Sequence, residues 1–281
     1  MLRYSLVALT LVLAVPALGC GGTVSSEPVV SAETATSKAP VAVNAHGPVK
    51  LFGEALGDVP LTATQRSAIE GLATAAEARH ADARTAGQDM MTTLAAQIEA
   101  GQIDRTALQP KLDAMVAAMQ KAQPADRAGF EQLHAILSPD QRVAFVDAVA
   151  AHMGDQKDKL RERRPMQQWA ADLNLSDDQK AQIKDAMVQR FKAAGHEMKH
   201  DWEGAKHQGK QVMEAFKGDR FVFDEVAPAK DVAAQVSRTS EHMLGVAEAA
   251  LPILTPAQRT LAAQKLREHA QSADGHAFEM P

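Results

Sequence analysis

The chain has 281 residues, a formal net charge of −5 and a single cysteine. That length can bury one or two cores. The negative balance argues against nucleic-acid binding as the main task, and one cysteine excludes an intramolecular disulfide. No glycine-rich phosphate loop and no nucleophile elbow occurs, and scattered carboxylates supply no paired acid and base, so the chain is not expected to be an enzyme. Aromatic residues make up only 4%. Ala-rich helical runs dominate, which points to an all-α fold of long amphipathic helices.

Residues 1–20 read as a targeting segment. Arg3 supplies the positive start, and the apolar run from Leu6 to Leu18 is too short to span a bilayer. It ends at Ala17-Leu18-Gly19-Cys20, which resembles a bacterial lipobox with Cys20 as the lipidated residue. Ordinary signal-peptidase cleavage nearby is the alternative. By resemblance to enterobacterial lipoprotein sorting, Gly21 after the cysteine implies the outer membrane, facing the periplasm. Residues 21–50 are rich in Ser, Thr, Ala, Val and Pro and read as a flexible tether with an r.m.s. span of about 30 Å.

A first helical unit is expected over residues 51–153. It opens at Leu61-Thr62-Ala63-Thr64-Gln65-Arg66. Apolar or small residues then recur at helical spacing from Ile69 through Leu72, Ala76, Met90 and Leu94 to Ile98, with His80 inside the stripe. Gly101 ends the run, Thr106 reopens a helix four residues before Pro110, and Pro124 is a candidate break. A second cap follows at Leu137-Ser138-Pro139-Asp140-Gln141-Arg142, and then a last helix to Met153. Residues 154–165 are highly charged and read as a solvated helical connector that Pro165 ends.

A second unit is expected over residues 166–270. It opens at Leu175-Ser176-Asp177-Asp178-Gln179-Lys180 and continues as one long helix from Asp177 to about Lys217. Lys192, Lys199, Lys206, Lys210 and Lys217 line up beside the apolar face of that helix. Their stems can cover apolar surface while the ammonium groups stay wet, which suits loose binding of an unfolded client, or simply solubility. His196, His200, Glu203 and His207 form a stripe on the opposite face. A histidine pair at i, i+4 can bind zinc, copper or nickel. His196 and His207 lie about 16.5 Å apart along the axis, so one ion cannot bridge them. A site would need a pair plus ligands from elsewhere, with His242 and His269 as candidates; exposed polar residues are the plain alternative. Asp224 is the expected cap of the return helix, four residues before Pro228. The last cap is Leu254-Thr255-Pro256-Ala257-Gln258-Arg259, and residues 271–281 read as a frayed tail.

All four caps share Leu-[Ser/Thr]-x-x-Gln-[Lys/Arg]. The hydroxyl can accept the N3 amide proton and the Gln can reach back, closing a capping box. The basic residue at N4 leaves no hydrophobic staple, so each Leu must pack on a neighbouring element. The spacing from Leu61 to Leu137 is 76 residues and from Leu175 to Leu254 is 79, which suggests a duplication. In these motifs the chain resembles the Spy/CpxP family of periplasmic proteins, over about residues 51–272. The resemblance implies a small helical-hairpin fold and an ATP-independent chaperone or envelope-stress role without a required cofactor. It also leaves open metal-responsive proteins and a scaffold docking one partner. Family members carry one unit and dimerise; two tandem units here imply a pseudo-dimer within one chain, or a homodimer. Unfolded envelope proteins and, through the anchor, the membrane are the implied partners.

Overall fold

A computed structural model describes residues 35–163, 165–191, 195–229 and 231–271, with the backbone alone for 160–163, 165–166, 191, 195–203 and 205. The signal segment with Cys20, residues 21–34 of the expected tether, and residues 272–281 of the expected tail lie outside the described residues. The fold is all-α. The elements are β1 (Thr36–Ser37), α1 (Gly47–Gly57), β2 (Leu61–Thr62), α2 (Ala63–Ala100), α3 (Arg105–Ile136), α4 (Pro139–Arg163), α5 (Pro165–Asp172), α6 (Asp177–Phe191), α7 (Gly195–Phe216), α8 (Phe223–Val226), α9 (Val232–Ala250) and α10 (Pro256–Gln271). Among the described residues no helix is long and apolar enough to cross a membrane.

The frame is the long antiparallel hairpin of α2 and α3. Gly101 ends α2 in the left-handed region at φ 82°, where a side chain would be strained. Gln97 then closes the turn: its side-chain amide donates to the Asp104 carbonyl at 3.1 Å and its oxygen accepts the Asp104 N–H at 3.0 Å. Asp104, and not the expected Thr106, caps α3, accepting the Ala107 N–H at 3.1 Å. Pro110 and Pro124 both lie inside α3 without ending it. Each removes one hydrogen bond, but packing along the whole of α2 outweighs that local loss.

Two cores sit at opposite ends of this hairpin. At one end Leu61, Ile69, Leu133 and Leu137 join Phe145 of α4, Val212 and Phe216 of α7, and Phe221. At the other, Leu94, Ile98 and Leu108 join Leu173, Met243 of α9, and Ala262 and Leu266 of α10. Between them Met115 of α3 meets Val232 and Val236 of α9. Each core therefore combines the capped end of one half of the chain with the turn end of the other half.

Two further expectations are revised. The tether ends early: Val41 is 2% exposed and Ala42 and Ala45 are buried, and β1 pairs antiparallel with β2, Ser37 opposite Leu61. The arm passes close over α1, where a Cβ on Gly53 would fall 2.6 Å from the Val41 carbonyl oxygen. Asp224 does not cap the return helix. It lies in the single turn α8, whose first amide, Phe223 N–H, is accepted by Glu131 of α3 at 2.7 Å, while Asp231 caps α9 through the Ala234 N–H at 3.1 Å. The expected long helix from Asp177 to Lys217 is described as α6 and α7, with residues 192–194 outside the described residues. The charged connector continues α4 as helix to Arg163, exposed over residues 153–159.

Candidate functional site

The four capping motifs come together as two pairs. Gln65 accepts the Thr62 N–H at 3.0 Å, and the Thr62 hydroxyl accepts the Gln65 N–H at 3.1 Å, a complete capping box. The Gln65 amide nitrogen then donates to Gln141 Oε1 at 2.7 Å and to the Ile136 carbonyl at 2.8 Å. Gln141 answers with bonds to Gln65 Oε1 at 3.0 Å and to the Pro60 carbonyl at 2.7 Å, while its oxygen accepts the Ser138 N–H at 2.9 Å. Each glutamine thus uses both N–H bonds and both lone pairs, which is full satisfaction of a primary amide. The second pair repeats this. Gln179 donates to Gln258 Oε1 at 2.8 Å and to the Ile253 carbonyl at 2.9 Å, and Gln258 returns a bond to Gln179 Oε1 at 3.1 Å. The Ser176 and Thr255 N–H groups bond the two oxygens at 3.1 and 3.0 Å. Leu61, Leu137 and Leu254 are buried and Leu175 half-buried, so the leucines pack across elements as the missing staple requires.

The basic residue that ends each motif also has a place. Arg66 donates to the Ala39 and Ser37 carbonyls at 2.6 and 2.7 Å, clasping the N-terminal arm. Arg142 donates to the carbonyl of Gly218, in the turn after α7. The Arg259 guanidinium lies against Gly101, in the turn after α2, where a Cβ would fall 3.2 Å from its Cζ. Lys180 pairs with Asp177 at 3.0 Å.

Carboxylates on α2 hold the arm as well. Glu70 accepts the Ala42 N–H at 2.9 Å, and Glu77 accepts the His46 N–H at 2.8 Å and meets its Nδ1 at 2.8 Å. Burial pushes the Glu77 carboxyl up, but the bonds from His46 and the charge of Arg84 outweigh it and leave it below the usual range. Asp126 behaves alike: burial raises it, and His80 and Arg79 bring it down. His80, expected as a satisfied residue within the apolar stripe, is half-buried and paired to Asp126 at 2.9 Å. Because both carboxylates titrate lower when folded, their stabilisation is complete above the unfolded value of about 4 and is lost as pH falls through the folded one. Hydrogen exchange in residues 39–46 is therefore expected to rise, after correction for intrinsic rates, below about pH 4. Glu77→Gln should show raised exchange already at pH 7. Equal protection of parent and variant there would remove Glu77 from this role. Across the molecule Arg105 of α3 grips Glu248 of α9 through two bonds of 2.6 and 3.0 Å and meets Glu241 at 2.7 Å. Those bonds hold Glu248 low against burial, with Arg190 of α6 adding to them.

Two apolar hollows open between the helices. One of about 500 Å³ opens between α3, α7, α8 and α9, with Phe52, Phe130, Phe223, Met119, Val212 and Met213 in its wall and Arg127 at its edge. Arg127 stacks 4.8 Å over the Phe223 ring and pairs with Asp224. A second hollow, about 580 Å³, lies between α2, α5, α6, α9 and α10. The sequence reading missed both, although the concentration of Phe130, Phe145, Phe216, Phe221 and Phe223 around one core was a usable signal.

Of the residues expected to act, Lys206 and Lys210 are exposed on α7 and Lys217 is half-buried just after it, paired with Glu214 at 3.1 Å. Lys210 and Lys217 stand about one turn on either side of Met213, which lines the first hollow. Lys192 lies outside the described residues, as do the side chains of Lys199, His196, His200 and Glu203. His207 is exposed, His242 lines the second hollow, and His269 is half-buried in the last turn of α10. Among the described residues no group of three His, Cys, Asp or Glu side chains is placed to hold a metal ion.

Comparison with known proteins gives one match: residues 54–148 fit the family model described as LTXXQ motif family protein. That span holds the first motif pair. No curated protein and no solved structure matches the chain.

Proposed function

We propose, taking residues 54–148 as a segment of the LTXXQ motif family, to which Spy/CpxP-like periplasmic proteins belong, that this chain is an envelope chaperone holding partly unfolded proteins without ATP. The observation that carries this reading is the solvent-open hollow beside α7. It offers aromatic rings and two methionines, which adapt to varied apolar side chains, with Arg127 and Asp126 in its wall, and α7, which forms one side of it, also carries the exposed cations Lys206 and Lys210. Such a surface favours exposed hydrophobes flanked by charge and demands no single sequence. Cys20 would anchor the chain to the outer membrane.

The chain reads as two LTXXQ units fused into a pseudo-dimer. In support, both glutamine pairs have the same bonds, and the closing arginine of each pair, Arg142 or Arg259, reaches the turn glycine of the other half, Gly218 or Gly101. Fusion would keep the two halves together at any dilution, which a dimer of separate chains cannot do.

The test is suppression of aggregation of several unrelated, chemically denatured proteins at a few-fold molar excess, with nucleotide absent. Protection of most of them, reduced at least several-fold by Lys206→Glu/Lys210→Glu, is expected. No protection of any would overturn the reading; protection of one alone would replace it with a scaffold for a specific partner.

A further inference from the structure

The two cores are built to one plan but filled differently. The motif registers relate Gln141 to Gln258, 117 residues apart. The same offset relates Phe130 to Ala247 and Phe145 to Ala262. Phe130 and Phe145 fill the first core, packing on Phe52, Phe216 and, for Phe130, Phe221. Ala247 and Ala262 line the 580 Å³ hollow of the second. The space is where two rings would stand, and a hollow of this size is in the range of small-molecule sites.

Its chemistry is selective. Leu94, Ile98, Trp169, Leu173, Met187 and Met243 are the larger apolar side chains drawn from four of its walls. Lys184 and Lys180, both exposed on α6 and the latter also paired with Asp177, supply its charge, and no Asp or Glu lines it. A polypeptide segment would carry N–H and C=O groups into a wall with few partners for them, which is costly. An acyl chain brings no such groups. We infer that this hollow binds a single-chain fatty acid, the chain among the apolar residues and the carboxylate at Lys180 and Lys184. This goes beyond client binding at the other hollow and does not depend on it.

The experiment is titration of the full chain with decanoate below its micelle concentration, read by Trp169 fluorescence and by calorimetry. Saturable binding of one molecule per chain is expected. Ala247→Phe, which restores a ring, should weaken it about tenfold or more by occupying the apolar space. Lys184→Glu should weaken decanoate several-fold and leave 1-decanol unchanged. Being a surface change, it stays decisive if Ala247→Phe fails to fold. Absence of saturable binding, or a folded Ala247→Phe that binds like the parent, would overturn the inference.

Discussion

Gln65→Glu is expected to lower stability by about 2–4 kcal/mol although it replaces only –NH2 by –O⁻. The carboxylate still accepts the Thr62 N–H, so the helix cap survives. It loses both donor bonds, leaves the Ile136 carbonyl without that partner, and turns an anion toward Gln141 Oε1. In a chain of this size the melting temperature should fall by roughly 5–12 °C. The neutral acid can donate again, so the folded carboxyl pKa of the variant is raised. Its penalty is full above that raised value and shrinks as pH falls through it toward the unfolded value of about 4.3. Thermal melts of parent and variant at pH 7 and pH 4.5 test this. A variant within 2 °C of the parent at pH 7 would mean that the glutamine pair is ornamental and that the motif acts only as a cap. The same logic explains why the motif carries Gln where a plain capping box accepts Glu.

Phe216→Ala should cost about 3–5 kcal/mol, the range for emptying a buried aromatic site. Its ring is fully buried and lies 4.7 Å from Phe130, 5.3 Å from Phe145 and 5.4 Å from Phe221, centroid to centroid. Phe216 belongs to the second half of the chain and Phe130 and Phe145 to the first. The loss is therefore expected as a downward shift of one cooperative unfolding transition in calorimetry. Two separate transitions, with only one of them moved, would show that the halves fold independently. Phe216→Leu keeps most of the apolar volume and should lose much less.

Local chemistry was readable along the chain. The four capping boxes, the stop at Gly101 and the all-α class follow from short-range rules: a hydroxyl three residues before a glutamine, an apolar period near 3.6, a left-handed glycine. The leucines that lack a staple were correctly referred to other elements. By contrast, Thr106, Asp224 and Pro124 were misjudged because the same rules offer several neighbouring candidates. Asp104 and Asp231 are the caps, and α3 runs on through Pro124 because α2 supports it throughout.

What only the tertiary structure decided is who meets whom. A capping box uses part of a glutamine, and nothing local reveals that Gln65 spends its remaining bonds on Gln141, or Gln179 on Gln258. The N-terminal arm has the composition of a loose tether, yet Val41, Ala42 and Ala45 are buried because Arg66, Glu70 and Glu77 on a distant helix satisfy its backbone. Periodicity tells which face of a helix is apolar but not whether that face closes on rings, as at Phe145, or stays hollow, as at Ala262. That depends on the volumes of side chains brought together from both halves of the chain, and volume complementarity exists only once the helices are packed.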